Sequence, residues 1–461
     1  MTVTLTASQT LTAALARMLA AQALPPAAIL LDGPVGAGKT HFARAFIRAR
    51  QGQAAEDVPS PTYTLVQTYD DPMGTEIWHA DLYRLTDPAE LAELGLEDAL
   101  DHAICLIEWP DRLADRPPGA ILLSLMDHAD PDLRWIVLDM PDAARLAARA
   151  VFVHDAGWDE ARVTPLAGDA SARRYFRLEG SGGAVLMDDP SGSVPAFAAM
   201  TGWLRDHGFG APRIMAADPD AGFLLLEDLG DDLVARVLAD RPDLAPRIQD
   251  RITDLLVSLQ AAPPPAGLAV LDGPAMGDLA ALFTRTYPGA DLPDLPALIG
   301  DLHDRLGAGV APVLSLRDFH AENLIWRGED PIGLLDYQDA VLAHPAYDPV
   351  SAWQDARRDI DPGVEAAQIR RFLDATGHED AAFRAAYALI GAQRALRILG
   401  VFARLAIRDG KPRYLDFMPR VWGNLQRNLA HPALAPLRAA LHDVPSPRDG
   451  AIERIRAACR P

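Results

Sequence analysis

The stretch Gly33-Pro-Val-Gly-Ala-Gly-Lys-Thr40 constrains this chain more than any other. It follows the short apolar run Ala27–Leu31 and opens a helix-like segment from Lys39 to about Arg50. Gly33, Gly36 and Gly38 let successive backbone N–H groups turn inward around an anion, with Ala37 completing the cradle. The positive end of the following helix points at the same place. In that setting Lys39 is expected to reach β/γ-phosphate oxygens, and the Thr40 hydroxyl to ligate Mg²⁺. A strand–loop–helix unit of this kind belongs in an α/β layer. Strand-like runs recur at 62–69, 76–81, 103–108, 120–125 and 135–138, with helical pattern near 88–100 and 141–150, which predicts an α/β domain built on a central sheet.

A count adds weight to Lys39. The chain has only two lysines, Lys39 and Lys411, and every other basic residue is arginine. A lysine kept in such a background is there for its compact ammonium, which a guanidinium fork does not replace. Acidic residues number 64 against 43 basic ones, a formal charge of −21. So acidic a chain repels a phosphate backbone, and direct nucleic-acid binding is not expected. Cys105 and Cys459 are the only cysteines, too few for a disulfide framework and without zinc spacing. Cys105 lies in the run Ala-Ile-Cys-Leu-Ile and reads as core. No signal peptide and no apolar run of about 18 residues is visible, so a cytoplasmic protein without a membrane span is expected.

Two carboxylates fall at strand ends downstream of the loop. Asp81 ends His79-Ala-Asp81, and Glu108 ends Ile104-Cys-Leu-Ile-Glu108. Beside a phosphate loop such groups suit Mg²⁺ or a positioned water; alone, each would suit a cap or turn equally well. Near residues 147–152 the pattern changes. A β-rich stretch over about 152–230 is followed by a helical stretch over about 231–445 and a tail at 446–461, the outline of a two-lobed kinase-like fold. The first domain is placed at 1–147 and the second at 152–445, each with its own complete site and so each expected to fold alone.

The second half has its own chemistry. Asp318 and Asn323 lie five residues apart, and Asp336 follows thirteen residues later at the end of Ile-Gly-Leu-Leu. Phosphoryl transfer to a hydroxyl needs a partner for the acceptor proton, here Asp318, and metal ligands near the phosphates, here Asn323 and Asp336. Upstream, Gly168-Asp-Ala-Ser171-Ala-Arg173-Arg174 is placed to cover phosphates, and backbone around Glu227 to meet adenine at the hinge. The strand 184–188 has Met187 where many kinases have lysine, so either an arginine holds the phosphates, with Arg173 or Arg174 the best placed, or this half does not bind ATP in the usual way.

Two resemblances carry these readings further. GPVGAGKT, SPTYTL, HADLYRL and IEWPDR, in this order over about residues 1–140, resemble the TsaE family, small ATPases of the bacterial machinery that installs threonylcarbamoyladenosine (t6A) at position 37 of tRNA. The resemblance implies a P-loop NTPase domain, ATP hydrolysis in support of TsaB/TsaD-like partner subunits, Glu108 as a Mg²⁺ ligand, Asp81 and Thr62 in the catalytic or switch apparatus, and a functional Trp109; read without it, Trp109 is core. LAGDASARRYFRL, LLLEDLGD, LRDFHAENLIW and GLLDYQDAVLAHPAYDPVSAWQDARRD, within about 152–445, look like the AmgK-type kinases of the aminoglycoside phosphotransferase superfamily. That resemblance implies ATP-dependent phosphorylation of N-acetylmuramate and N-acetylglucosamine at the anomeric hydroxyl, in peptidoglycan recycling. Arg317, His344 and Arg357 lie near the catalytic motifs as sugar-binding candidates, and each fits a structural ion pair equally well. Another hydroxyl acceptor, such as an aminoglycoside or choline, stays open, as does a silent module that regulates the ATPase.

Overall fold

The computed structural model describes residues 2–52, 57–85, 94–166, 173–180 and 182–459. The chain divides into two compact units, Met1–Pro195 with Arg213–Asp228, and Ala196–Pro212 with Leu229–Pro461.

The first unit opens with β1 (Thr2–Ala7), α1 (Gln9–Gln22), β2 (Ala27–Asp32), the glycine loop and α2 (Lys39–Gln51). It continues through β3 (Val66–Asp70), β4 (Glu76–Asp81), β5 (Ile104–Glu108), β6 (Ile121–Asp127) and β7 (Arg134–Asp139) to α3 (Ala143–Asp155). The sheet order is β1-β7-β6-β2-β5-β4-β3. Strands β4, β5, β2 and β6 run parallel, and antiparallel strands close both edges. The α/β expectation therefore holds. Strand β1 and helix α1 lie outside the elements expected from the sequence. Thr-Val-Thr-Leu-Thr alternates only briefly, and α1 is alanine-rich on several sides, so its periodicity is weak. Ser8 caps α1 by accepting from the Leu11 N–H at 3.2 Å. The strand expected from Thr62 starts only at Val66, because the Leu65 N–H bonds back to the Pro61 carbonyl (2.7 Å) and holds the segment as a turn. Of the helical pattern at 88–100, a single turn at Leu96–Ala99 is described; residues 86–93 lie outside the described residues.

One face of this sheet buries Leu15, Met18, Phe42, Phe46 and Leu146 from α1, α2 and α3. The opposite face buries Leu30, Ala80, Cys105 and Ile107. Cys105 is fully buried, and burial pushes its thiol up to about 12, so it packs as an apolar group.

A second sheet belongs to the same unit: β8 (Arg162–Leu166), β9 (Arg174–Glu179), β10 (Gly183–Asp188), β11 (Ile214–Asp218) and β12 (Phe223–Glu227), antiparallel in the order β11-β12-β10-β9-β8. Phe176, Leu178, Leu186 and Phe223 on one of its faces enter the same core as α1 and α3. Helix α3 carries Arg145 and Arg149, and both pair with Asp188 on β10. Arg149 and Asp188 are almost completely buried, and the guanidinium groups of Arg145 and Arg149 stack on Phe223 and Phe176 respectively. The junction expected at 147–152 is the middle of α3.

The second unit is mostly helical. The chain enters it along α4 (Val194–Asp206) and proceeds through α5 (Ala245–Ala261), α6 (Gly273–Thr286) and α7 (Leu295–Leu306). Short strands β13 (Val313–Ser315), β14 (Leu324–Ile325), β15 (Gly333–Leu334) and β16 (Val341–Ala343) then form two hydrogen-bonded pairs, β13 with β16 and β14 with β15. Helices α8 (Tyr347–Trp353), α9 (Pro362–Thr376), α10 (Asp380–Ile407), α11 (Met418–Leu429) and α12 (Ile452–Ala458) complete it. Helix α10 has the length and mean hydropathy (1.2) of a membrane span, but 83% of its apolar window is buried, as in a core helix. At Gly400 a Cβ would come within 2.7 Å of the Phe283 backbone nitrogen, so glycine lets α10 approach α6. The segment expected as a tail ends in α12, whose Ile455 is fully buried.

Candidate active sites

In the first unit the phosphate loop leaves β2 at Asp32. Gly33, Gly36 and Gly38 all have positive φ, at 139°, 80° and 108°. A side chain at Gly33 would also strike the Leu125 carbonyl oxygen, 2.2 Å from an ideal Cβ. Conformation and space both therefore demand glycine at Gly33. Lys39 is 4% exposed, and its ammonium donates to the carbonyls of Gly33 (2.7 Å) and Pro34 (2.9 Å). It also lies 3.8 Å from the ring centre of Trp109. Burial pulls its pKa below the ordinary lysine value, and Glu108, Asp81 and Asp32 pull the other way.

Register explains the rest. Asp81 on β4 is opposite Glu108 on β5, and His79 precedes Asp81 by two residues, so all three share one face of the sheet. Glu108 Oε1 accepts from the half-buried Thr40 hydroxyl (2.8 Å) and bonds to buried His79 Nε2 (3.0 Å). Asp81 Oδ2 accepts from the hydroxyls of Thr62 (2.7 Å) and Ser60 (3.2 Å), and its Oδ1 from the Tyr83 N–H (3.1 Å). The structure thus brings Lys39, Thr40, Glu108, Asp81, Thr62 and Trp109 to one end of the sheet. His79 was not a sequence candidate. It is fully buried, and its Nδ1 has no hydrogen-bond partner among the described residues. The signal was its place two residues before Asp81, on the same side of a strand. Trp109 holds a left-handed conformation, with φ at 61°, and its ring lies 5.0 Å from Tyr83. A cavity of about 320 Å³ adjoins the loop, lined by Ser8, Thr10, Gly36, Gly38, His41 and Arg134.

The small β-sheet places its candidates separately. Ser171 lies outside the described residues. Arg173 pairs with Asp189 (2.8 Å) and the Ser193 hydroxyl (2.8 Å), and Arg174 pairs with Asp142 at the start of α3 (3.1 Å). The Glu227 carboxylate accepts from the Arg213 N–H (3.1 Å). Met187 is opposite Tyr175, and Val185 is opposite Arg177. Alternation puts Tyr175, Arg177, Val185 and Met187 on one face, opposite that of Phe176 and Leu186. Arg177 is thus the arginine that shares a face with the position where lysine was expected, and it pairs with Asp228 (2.7 Å). The period-two pattern of Arg-Tyr-Phe-Arg-Leu-Glu contained that information.

In the second unit, β14 and β15 pair antiparallel. Asn323 immediately precedes β14 and Asp336 follows Leu335 after β15, so the hairpin brings the two to the same end. The Leu335 N–H bonds to the Asn323 carbonyl (2.9 Å). The Asn323 amide donates to the Asp318 carbonyl (2.9 Å), which links two of the three candidate residues directly. Arg317 and Asp336 both hold left-handed backbone, with φ at 67° and 55°. The Arg317 N–H groups the loop around Asp348: Asp348 accepts from the Ser315 hydroxyl (2.7 Å) and from the N–H groups of Leu316 (2.7 Å) and Arg317 (3.1 Å). Complete burial pushes the Asp348 carboxyl up to about 6. Arg394 reaches the Arg317 carbonyl (3.1 Å) and contributes positive charge near Asp318. Arg357 approaches His320 Nε2 (3.5 Å). His344 accepts from the Ala346 N–H (3.1 Å) and caps the chain entering α8; burial pulls its pKa down to about 4.

Both sites offer hard oxygen donors of the kind Mg²⁺ takes, Thr40 with Glu108 and Asn323 with Asp336.

Comparison with known proteins finds relatives for two successive stretches of the chain. A family model described as threonylcarbamoyl adenosine biosynthesis protein TsaE matches residues 6–133, and one described as phosphotransferase enzyme family matches residues 162–389. An N-acetylmuramate/N-acetylglucosamine kinase of Caulobacter vibrioides is 40% identical over 347 residues, 64% of this chain and 95% of the relative. A kinase of the same description from Pseudomonas aeruginosa is 34% identical over 63% of this chain and 91% of its own length. The tRNA threonylcarbamoyladenosine biosynthesis protein TsaE of Rickettsia bellii is 40% identical over 119 residues, 26% of this chain and 81% of the relative. The chain belongs to two families at once, joining a TsaE-family P-loop domain to a kinase of the phosphotransferase enzyme family, in the group of the N-acetylmuramate/N-acetylglucosamine kinases.

Proposed function

We propose that the chain is bifunctional: an ATPase that supports t6A formation in tRNA, and an ATP-dependent kinase that phosphorylates N-acetylmuramate and N-acetylglucosamine at the anomeric hydroxyl. The kinase reading rests on one observation above others. The β14–β15 hairpin and the Asn323–Asp318 bond support a common site for Asp318, Asn323 and Asp336, in a chain that spans 95% of an amino-sugar kinase at 40% identity. That likeness favours an amino sugar over an aminoglycoside or choline, and the assembled site disfavours a silent module.

In the kinase site the acceptor O–H gives its proton to the Asp318 carboxylate as its oxygen attacks the γ-phosphorus, and ADP leaves with the electrons of the broken P–O bond. Asn323 and Asp336 would hold Mg²⁺, which neutralises phosphate charge when bound. Arg177 shares its strand face with Met187, where many kinases carry a lysine. Arg317 and Arg357 flank the acceptor side of the loop. In the ATPase site Lys39 leaves its loop carbonyls for the phosphates, Thr40 and Glu108 would hold Mg²⁺, and Asp81 with Thr62 positions the attacking water. Partner subunits of the t6A pathway hold the tRNA, which accommodates the acidic charge, and both activities fit the cytoplasm.

The test is the purified chain with ATP, Mg²⁺ and each sugar, read by product mass and by a reducing-end assay. Phosphorylation at C1 removes the reducing power of N-acetylmuramate. A product that still reduces overturns the anomeric assignment, and no phosphorylated sugar overturns the kinase reading.

A further inference from the structure

The helical unit holds a second cavity of about 320 Å³, lined by Trp353, Asp355, Arg358, Arg420 and Asn424, among others. That is the lower end of the range for small-ligand sites, roughly 300–1,000 Å³. It is linked to the catalytic loop by contacts: Asp355, on its wall, accepts from the Arg357 N–H (2.9 Å), and the Arg357 guanidinium lies 3.5 Å from Nε2 of His320, two residues after Asp318.

The cavity's charges are unevenly satisfied. Arg420 is held by Asp359 through two nitrogens (2.5 and 2.8 Å) and by the Ala356 carbonyl (3.2 Å). Arg427 is paired with Glu365 (3.3 Å). Arg358 is half-buried, and among the described residues it has no hydrogen bond and no ion pair. Two neutral-ligand groups are also open. Asp355 is 4% exposed; one oxygen accepts from the Arg357 N–H (2.9 Å), and the other has no hydrogen-bond partner among the described residues. The Trp353 indole N–H is fully buried and likewise has no partner among the described residues. A ligand that satisfies all three presents an anion to a guanidinium, a hydroxyl to a carboxylate and an acceptor to an indole.

We propose that this cavity is the acceptor site and that Arg358 binds the lactyl carboxylate of N-acetylmuramate, which makes Arg358 the residue that distinguishes N-acetylmuramate from N-acetylglucosamine. The proposal rests on the amino-sugar kinase reading. The two sugars differ by the lactyl ether on O3, and its carboxylate is the anion that the unpaired guanidinium lacks. Arginine meets a carboxylate with two parallel N–H bonds, so this contact is strong and geometrically selective. Asp355 then accepts from a ring hydroxyl, and the Trp353 N–H donates to a sugar oxygen.

The experiment compares full-length wild type with Arg358→Gln and Arg358→Lys, measuring kcat and KM for both sugars and for the methyl ester of N-acetylmuramate, whose carboxylate is neutralised. A charge-assisted hydrogen bond of this kind corresponds to roughly a 10–100-fold change in affinity. The expected result is a fall of that size in the ratio of kcat/KM for N-acetylmuramate over N-acetylglucosamine in Arg358→Gln, carried by KM, with partial recovery in Arg358→Lys. Wild type and Arg358→Gln should handle the methyl ester alike. An unchanged ratio, or an equal loss for both sugars and the ester, overturns the role of Arg358 while leaving the kinase reading intact. Wild type that phosphorylates neither sugar overturns the kinase reading and this proposal with it.

Discussion

Under the proposed function Lys39 and Asp318 do different work in the two sites, and their substitutions are expected to separate the activities. Lys39 would supply the compact charge that meets β/γ-phosphate oxygens, and its position beneath Trp109 (3.8 Å) suits an ammonium better than a broader guanidinium. Lys39→Ala should lower ATP hydrolysis at least 100-fold, the order of loss seen when one preorganised electrostatic group is removed, and leave sugar phosphorylation within about twofold. Steady-state ATPase and sugar-kinase assays on one preparation check this; equal loss of both activities would mean a single shared nucleotide site. Asp318→Asn should do the reverse. Asparagine accepts a hydrogen bond but takes no proton, so the loss, about 10²–10⁴-fold, should fall on kcat for sugar with little change in nucleotide affinity. These residues were legible because each motif is local: glycines fix the loop around Lys39, and five residues separate Asp318 from Asn323. His79 and Arg177 were less legible, because their roles depend on which face of a strand they occupy and on the neighbouring strand. His344 shows the opposite limit. Its position near the motifs suggested sugar binding, whereas its bond to the Ala346 N–H (3.1 Å) and its burial suit a structural cap.

At the level of elements, the entry into α8 carries a pH dependence. The His344 ring is buried and accepts from Ala346, so it stays neutral in the folded state, with a pKa held down to about 4. In the unfolded chain it titrates near 6.5. The unfolded state therefore takes up a proton first. The contribution of His344 is fully present above pH 6.5 and is lost as pH falls towards 4, by about 2 kcal/mol at pH 5. Asp348, raised to about 6, acts in the opposite sense. Its folded form holds a proton that the unfolded chain has released, so it is relieved as pH falls through 6. The wild-type curve mixes the two, and the difference between wild type and His344→Asn isolates the histidine, because the asparagine side-chain oxygen still accepts from the Ala346 N–H. Urea midpoints at pH 7 and pH 5 should show a smaller drop for the variant. An equal drop would mean that His344 is already solvated or already charged in the folded protein.

For the whole chain, the core decides where it can be cut. The change of sequence pattern near residue 150 is real, but it marks a change of sheet type and not an edge of packing. Helix α3 runs through Ala143–Asp155 and buries residues against both sheets of the first unit. No sequence rule reveals this, because Phe176, Leu186 and Phe223 look like the inner face of any small β-lobe, and Asp188 follows its arginine partner Arg145 by 43 residues. A fragment beginning at residue 152 would expose Phe176, Leu178, Leu186 and Phe223, each worth about 1.5–3 kcal/mol of burial, and would leave Asp188 without Arg145 and Arg149. The four side chains alone amount to about 6–12 kcal/mol, comparable to the whole stability of an ordinary domain. We therefore expect residues 152–461 to be poorly soluble or to bind hydrophobic dye, whereas the full chain is soluble and does not. The same contact can be tested without truncation. Asp188→Ala strands the fully buried Arg149, and breaking a buried pair in this way costs about 3–5 kcal/mol. Its urea midpoint should fall accordingly, and because the β-lobe and the phosphate-loop domain share that core, ATP hydrolysis and sugar phosphorylation should disappear at the same denaturant concentration. Two separate transitions, with hydrolysis outlasting phosphorylation, would show that the halves unfold independently despite the common core.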